Sequence, residues 1–168
     1  NIGRAVERYY LCTPDVLVFP SKLTARKFMA MRMRKPFVII PNGIDVSRIR
    51  KVREHPFEKY DVIFVGRLVK SKNVDYLLKA ISIAKAERPD IKCAIVGDGP
   101  ERRNLEAMSK DLNIYDNVKF FGHVREEEVY SLLKASKIFV SCSTSEGFGM
   151  AFLEANACGL PVIGIKHP

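Results

Sequence analysis

With 168 residues, 47% of them hydrophobic and 28% charged, the chain has the size and composition of one soluble globular domain with its own core, which excludes disordered and collagen-like classes. No apolar run approaches the roughly 18 residues of a spanning helix, and the opening NIGRAVERYY lacks the apolar core of a signal peptide, so a cytoplasmic chain is expected. Lysine and arginine outnumber the acids by 28 to 19, and the resulting +9 favours anionic partners: nucleotide diphosphates, acidic membrane surfaces or nucleic acid.

Residues 1–11 read as a helix with Ile2, Val6, Tyr9 and Tyr10 on one side. The run DVLVF at 15–19 predicts a buried strand closed by Pro20. Ser21 is placed to cap a helix through SKLTARKFMAMR, and PFVIIP at 36–41 predicts a second strand. Asn42-Gly43 follows as a turn dipeptide, and the charged, Pro-containing residues 50–60 as a surface connection. Much of the basic excess lies early, in ARKFMAMRMRK and SRIRKVR. A solvated basic face is the simplest reading of such runs; the alternative is peripheral membrane contact through Phe28, Met29, Met31, Met33 and the adjoining cations. Nucleic acid is not expected, because no stacking surface interleaves these cations.

DVIFVGRL at 61–68 is a strand running into Gly66 and Arg67, and Lys72 is expected to open a helix with Val74, Leu77, Leu78, Ile81 and Ala84 at helical spacing. Such a strand end makes a diphosphate clamp in which Arg67 forks two oxygens and Lys72 adds a point charge; for either cation alone, an exposed surface charge is the simpler reading. IKCAIVGDGP at 91–100 brings another strand to a Gly-x-Gly turn, followed by a helix from Glu101 through Lys110. Without a G-x-x-G continuation this is a weak dinucleotide signal, and Pro100 in a first helical turn suffices to explain it. NVKFFGHV ends a further strand at Gly122, His123 and Val124, with His123 read as a loop residue. REEEVYSLLKA at 125–135 is a helix whose acidic start suits its dipole.

Ile138, Phe139 and Val140 form a short strand, Ser, Thr and Gly break it, and Met150 to Ala157 predicts a helix stopped by Gly159 and Pro161 before the last strand, PVIGI at 161–165. A strand-loop-helix turn aims unpaired N–H groups and a positive dipole end at whatever lies over the loop, which suits a phosphate; glycines 147 and 149 admit a ligand close to the main chain. Glu146 and Glu154 bracket the turn at a separation of about two helical turns. Both carboxylates offer acceptors to sugar hydroxyls, although the spacing alone favours a helix N-terminal charge and a solvated helix residue. Cys12, Cys93, Cys142 and Cys158 form no C-x2-C pair and read as reduced core residues, with nothing beside Cys142 in sequence to activate it. Six or seven strands alternating with helices predict an α/β fold with a doubly wound, Rossmann-like parallel sheet, every candidate residue standing at a strand's carboxyl end.

Four stretches together resemble the retaining glycosyltransferases of family 4, which have the GT-B fold. SEGFGMAFLEANACGLPVI resembles their donor-binding motif, VIIPNGIDVSRI their PNG[IV]D signature, VGRLVKSKNVDYLLKA their V-G-R-L-x-x-x-K-G-x-x-x-L-L-x-A, and IVGDGP their turn of that form. The chain departs from the pattern at Asn73, where the family usually has glycine, and at Lys70 and Ser71, where Pro and Glu are common. The resemblance runs from about residue 15 to 165. It implies that residues 1–168 are a single nucleotide-sugar-binding domain, the C-terminal half of a GT-B fold, in a fragment that lacks the acceptor domain, a Gly-Gly loop after His167 and Pro168, and later helices.

The activity implied is retaining, metal-independent transfer of a hexose from a UDP-, GDP- or ADP-hexose to an acceptor glycan or lipid-linked sugar, with no cofactor besides the donor substrate and with the isolated domain inactive. Carried over by the resemblance, Arg67 and Lys72 hold the diphosphate and Glu146 the hexose hydroxyls, these three forming the catalytic set. The main chain of Gly147, Phe148, Gly149 and Met150 contacts phosphate and sugar, and Glu154 the ribose. Gly97 and Asp98 border the nucleotide, His123 and Val124 lie at the base edge, and Asn42 and Gly43 near the cleft mouth. The alternative is a nucleotide-binding module without transferase chemistry.

Overall fold

The structure, a computed structural model, describes residues 9–10, 13–30, 35–56, 58–144 and 146–165. The chain forms two compact units, Asn1–Gly43 with Glu146–Met150, and Ile44–Ser145 with Ala151–Pro168.

In the first unit, strands β1 (Leu17–Phe19) and β2 (Phe37–Ile39) pair in parallel, with Leu17 opposite Phe37 and Phe19 opposite Ile39. Helix α1 (Lys22–Met29) follows β1. The Ser21 side chain accepts a bond from the Thr24 N–H at 3.1 Å, the expected cap. Phe19 anchors the unit, its ring 5.3 Å from that of Phe28 on α1 and 5.9 Å from that of Phe37. The buried strand expected over 15–19 is correct for Phe19 alone. Val16 and Val18 are exposed, because successive strand residues face opposite sides and α1 covers only the side of Phe19 among the described residues. The helix expected over 1–11 lies outside the described residues except for Tyr9 and Tyr10, which are helical, and Cys12, Met31 and Met33 also lie outside them. Asn42-Gly43 is not a turn: both residues are irregular, and Gly43 is absent from the positive-φ glycines.

The second unit carries β3 (Tyr60–Val65), β4 (Cys93–Val96), β5 (Val118–Gly122), β6 (Ser136–Ser141) and β7 (Val162–Gly164), all parallel, in the order β5-β4-β3-β6-β7. Its helices are α2 (Val46–Lys51), α3 (Val74–Glu87), α4 (Arg102–Asp111), α5 (Glu126–Lys134) and, from Ala151 on, α6 (Met150–Ala157). One face of the sheet packs Val62, Phe64 and Ile95 against Leu77, Leu78 and Ile81 of α3 and Leu105 of α4. The other packs Ile63, Ala94 and Phe139 against Ile49 of α2, Leu132 and Leu133 of α5, and Ala155 of α6. Coverage on both faces is why these strands read as unbroken apolar runs rather than as alternating ones.

Helix α2 occupies a stretch expected to be solvated basic face and surface connection. The Asp45 side chain caps it by accepting from the Arg48 N–H at 3.0 Å, and Ile49 is fully buried. At its far end, Lys134 of α5 donates to the carbonyls of Ile49 at 2.7 Å and Val52 at 2.6 Å, satisfying groups a short helix leaves open. One buried isoleucine among four cations in SRIRKVRE carried too weak a periodic signal to be read.

The order of the strands sets where their loops lie. From β3 the chain leaves through α3 toward β4; from its other neighbour, β6, it leaves through α6 toward β7, with α3 and α6 in the cores of opposite faces. The carboxyl ends of β3 and β6 therefore flank a topological switch point, the place where open α/β sheets bind ligands.

Candidate functional site

All four loops that follow β3 to β6 leave the same edge of the sheet, because the strands are parallel. They are tied to one another by main-chain bonds. The N–H of Leu68 donates to the Asp98 carbonyl at 2.9 Å, that of Glu101 to the Leu68 carbonyl at 3.0 Å, and that of Gly97 to the Gly122 carbonyl at 2.8 Å. A Cβ on Gly97 would overlap the Gly66 carbonyl, and one on Gly99 the Leu68 carbonyl. The Gly-x-Gly turn thus owes its glycines to close approach of two backbones, rather than to Pro100 as the sequence suggested; Gly97 adds a left-handed φ of 126°.

Arg67 stands two residues beyond the end of β3 and is exposed. Lys72 does not open a helix. It ends a short 3-10 turn, Lys70–Lys72, and α3 starts at Val74 after Asn73, whose backbone is left-handed with φ 47° and ψ 45°. A residue in that conformation cannot continue a right-handed helix, so the helix start moves past it. Asn73 occupies the position where the resembling family has glycine, and asparagine is the residue that tolerates this geometry best after glycine.

Asp98 is engaged within its own turn. Its carboxylate accepts from the Gly99 N–H at 2.7 Å and from Arg102 at 3.1 Å; these bonds, the Gly99 one first, hold it below the ordinary carboxylate range. Arg102 is itself held by Glu106 at 2.8 Å. His123 is exposed and Val124 half-buried just beyond β5.

Glu154, in the second turn of α6, is half-buried, and its carboxyl is pushed above the ordinary range, first by burial and then by the charge of Glu126. Glu126 is engaged by the Tyr130 hydroxyl, which donates to it at 2.6 Å, and by Arg48 at 2.5 Å. The solvated helix residue that the spacing alone suggested is instead a half-buried carboxyl in a partly dry, acidic neighbourhood.

In the first unit, the loop of Glu146 to Gly149 leads into α6 at Met150, the predicted helix start. Gly149 has a left-handed φ of 82°, whereas nothing lies within 4 Å of a Cβ built on Gly147. The Gly147 carbonyl accepts from the Thr24 hydroxyl at 2.9 Å. Glu146 and Phe148 are half-buried, and Asn42 and Gly43 exposed. Arg67, Lys72, Gly97, Asp98, His123, Val124 and Glu154 belong to the second unit; Asn42, Gly43 and Glu146 to Met150 belong to the first.

Asn73 and the Tyr130–Glu126 pair were not among the site residues read from sequence; the departure from glycine at Asn73 was the available signal for the first. Among the described residues, no group of three or more His, Cys, Asp and Glu side chains is placed to hold a metal ion, and no helix is long and apolar enough to cross a membrane. Cys93, Cys142 and Cys158 are free thiols, and burial raises all three, Cys93 to about 12 and Cys158 to about 11. A cavity of about 380 Å³ lies at the opposite edge, lined by Glu58, Tyr60, Asn117 and Lys119 at the starts of β3 and β5. Open α/β sheets bind ligands at the carboxyl edge, away from this cavity.

The comparisons with known proteins bear on the same elements. The chain is 33% identical over 168 aligned residues to a GDP-mannose-dependent monoacylated alpha-(1-6)-phosphatidylinositol monomannoside mannosyltransferase of Corynebacterium glutamicum, an alignment covering 89% of this chain and 44% of that one. It is similar in structure to the pneumococcal O-GlcNAc transferase GtfA, solved with UDP and GlcNAc, at a TM-score of 0.76 and 25% identity over 92% of this chain and 30% of that one. Anabaena Alr3699/HepE, solved with UDP and glucose, shares the fold at a TM-score of 0.82 and 21% identity over 98% of this chain and 50% of that one. The chain thus spans less than half the length of the curated relative. The α/β fold with its parallel five-stranded sheet is that of the GT-B glycosyltransferases. The family described as "Glycosyl transferases group 1" matches residues 45–168, from the capping Asp45 onward and so through every strand of the five-stranded sheet, and the chain belongs to that family.

Proposed function

We propose that this chain is the donor-binding half of a retaining glycosyltransferase of the family 4 type, taking a hexose from a nucleotide diphosphate sugar and passing it to a glycan or lipid-linked acceptor bound by a domain outside residues 1–168. The observation that carries this reading is the switch point between β3 and β6, from which the loops with Arg67 and Lys72 and with the SEGFG motif depart. Arg67 and Lys72 bind the diphosphate. As the bond from the anomeric carbon to the diphosphate breaks, negative charge grows on the leaving oxygen, and these two cations, with the main chain of Gly147 to Met150, stabilise it. Metal-independent catalysis is part of the proposal. Glu146 accepts from the hexose hydroxyls and Glu154 from the ribose; Gly97 and Asp98 border the nucleotide, His123 and Val124 the base, and Asn42 and Gly43 the mouth of the cleft. The early basic segment is proposed to make peripheral contact with an anionic membrane surface.

Calorimetry with UDP, GDP and ADP tests the reading, and one of them is expected to bind. Arg67→Ala and Lys72→Ala should each weaken that nucleotide about 10- to 100-fold, the loss of a charge-assisted bond. Glu146→Ala should weaken the sugar nucleotide while leaving the bare nucleotide unchanged. Heat from none of the three nucleotides overturns the proposal.

A further inference from the structure

We propose that Asn73 is a positioning residue for the donor diphosphate: its side chain ties the Lys72 turn to the loop after β6 and so holds the Lys72 backbone in place. The inference rests on the function proposed above and concerns a residue that the resembling family's glycine does not supply. The Asn73 Nδ2 group donates to the Cys142 carbonyl at 3.0 Å and to the Thr144 Oγ1 at 3.3 Å. The Thr144 hydroxyl in turn donates to the Ser71 carbonyl at 3.2 Å, and the Thr144 N–H donates to that same carbonyl at 2.9 Å. Both sequence neighbours of Lys72 are therefore bound to residues 142–144, Ser71 through its main chain and Asn73 through its side chain. Lys72 has no freedom to shift along the turn unless one of these bonds opens.

The backbone of Asn73 explains why this residue can do what few others could. At φ 47° and ψ 45° a glycine fits readily, but it has no side chain to reach the neighbouring loop. Most other side chains would reach it only at the cost of a strained main chain, whereas asparagine visits the left-handed region and carries an amide donor. In this chain, rigidity that a glycine turn lacks is supplied across the two loops flanking the switch point. Such fixing of a cation before the ligand arrives lowers the ordering that binding would otherwise require.

The test uses the full chain and two substitutions that keep the left-handed backbone. Asn73→Gly removes the tie, and Asn73→Asp replaces the donor by a carboxylate facing the Cys142 carbonyl. Both should accelerate hydrogen exchange at the Thr144 amide roughly tenfold, the equivalent of one lost bond, with Asn73→Gly melting near the wild-type temperature. Each should also weaken whichever of UDP, GDP and ADP the wild type binds by roughly five- to tenfold, and Asn73→Gly, which adds no charge, should not weaken it further in a Lys72→Ala background, since Asn73 acts through Lys72. Unchanged affinity, or a loss in Asn73→Gly that adds in full to that of Lys72→Ala, overturns the positioning role even if exchange accelerates. Unchanged exchange overturns the tie itself. Should the wild type bind none of the three nucleotides, the function proposed above falls and the donor role with it, while the exchange measurement still decides whether the tie exists.

Discussion

The two sheets of this chain are built from similar residues and end in different states. In the five-stranded sheet, all four residues of β4 are buried and β3 hides Ile63 and Phe64 on opposite faces. In the two-stranded sheet, Val18 and Val38 face each other across the register, yet Val18 is 57% and Val38 45% exposed. Branched apolar residues favour a pleated strand in both cases, but their contribution to stability comes from what covers them. Strand-forming tendency and burial are thus separate properties, and only the second should show in unfolding experiments.

The strongest way to break this comparison is in the large sheet. Phe139 is fully buried and packs edge-on to Phe152 at 5.2 Å. Phe139→Ala should lower the unfolding free energy by about 3–5 kcal/mol, read from the urea midpoint at constant slope. Gly97→Ala should follow at roughly 2–4 kcal/mol, because its methyl would overlap the Gly66 carbonyl and its φ of 126° disfavours any side chain. Gly147→Ala makes the control: it has open space and no left-handed φ, so its midpoint should stay with the wild type. If Phe139→Ala were as mild as a change in the small sheet, the five-stranded core would not be the seat of stability.

Much of this was legible in the amino-acid order. The strands of the large sheet were read from apolar runs such as DVIFV and KCAIV, and α6 was placed at residues 150–157 because good helix formers stand between a glycine-rich loop and Gly159. What escaped notice has particular causes. Helix α2 shows only Ile49 to the core, and its neighbours are cations. The start of α3 was placed two residues early because periodicity reports side-chain spacing and says nothing of the left-handed turn at Asn73. The exposure of Val16 and Val18 was invisible because a run of valines has the same composition whether or not a layer covers it. In the site, position at a strand end was readable for Arg67, Asp98 and His123. The bonds that occupy Asp98, and the backbone contact that demands Gly97, arise between loops distant in sequence and have no local signature.

A smaller effect sharpens the contrast from the polar side, since Glu154 is a carboxylate where partial burial works against it. Its raised carboxyl means that the folded chain holds this proton to higher pH than the unfolded chain does. The associated stability is present below the ordinary value of 4.5 and is lost as pH rises through the raised value. Glu154→Gln should therefore raise the melting temperature at pH 7, and the gain should vanish as the pH falls below about 4.5. Nucleotide affinity should move in the opposite sense, the glutamine being a poorer acceptor for two hydroxyls. A gain in stability that does not depend on pH would assign the effect to packing instead of charge.

The smallest effect belongs to the small sheet, and it is the one that decides whether burial or strand tendency rules there. Val18→Thr keeps the branch at Cβ and therefore the pleat preference, while exchanging a methyl for a hydroxyl on a side chain that is mostly in water. No buried volume is lost and the hydroxyl remains solvated, so the unfolding free energy should change by less than about 0.5 kcal/mol. Ile63→Thr, at a residue fully buried in β3, exchanges a packed ethyl group for a hidden, unpaired hydroxyl, and should reach roughly 2–4 kcal/mol. Urea midpoints for the two variants, measured side by side, should thus differ several-fold. A loss at Val18 as large as that at Ile63 would mean that strand tendency, and not burial, sets what a valine contributes to the small sheet.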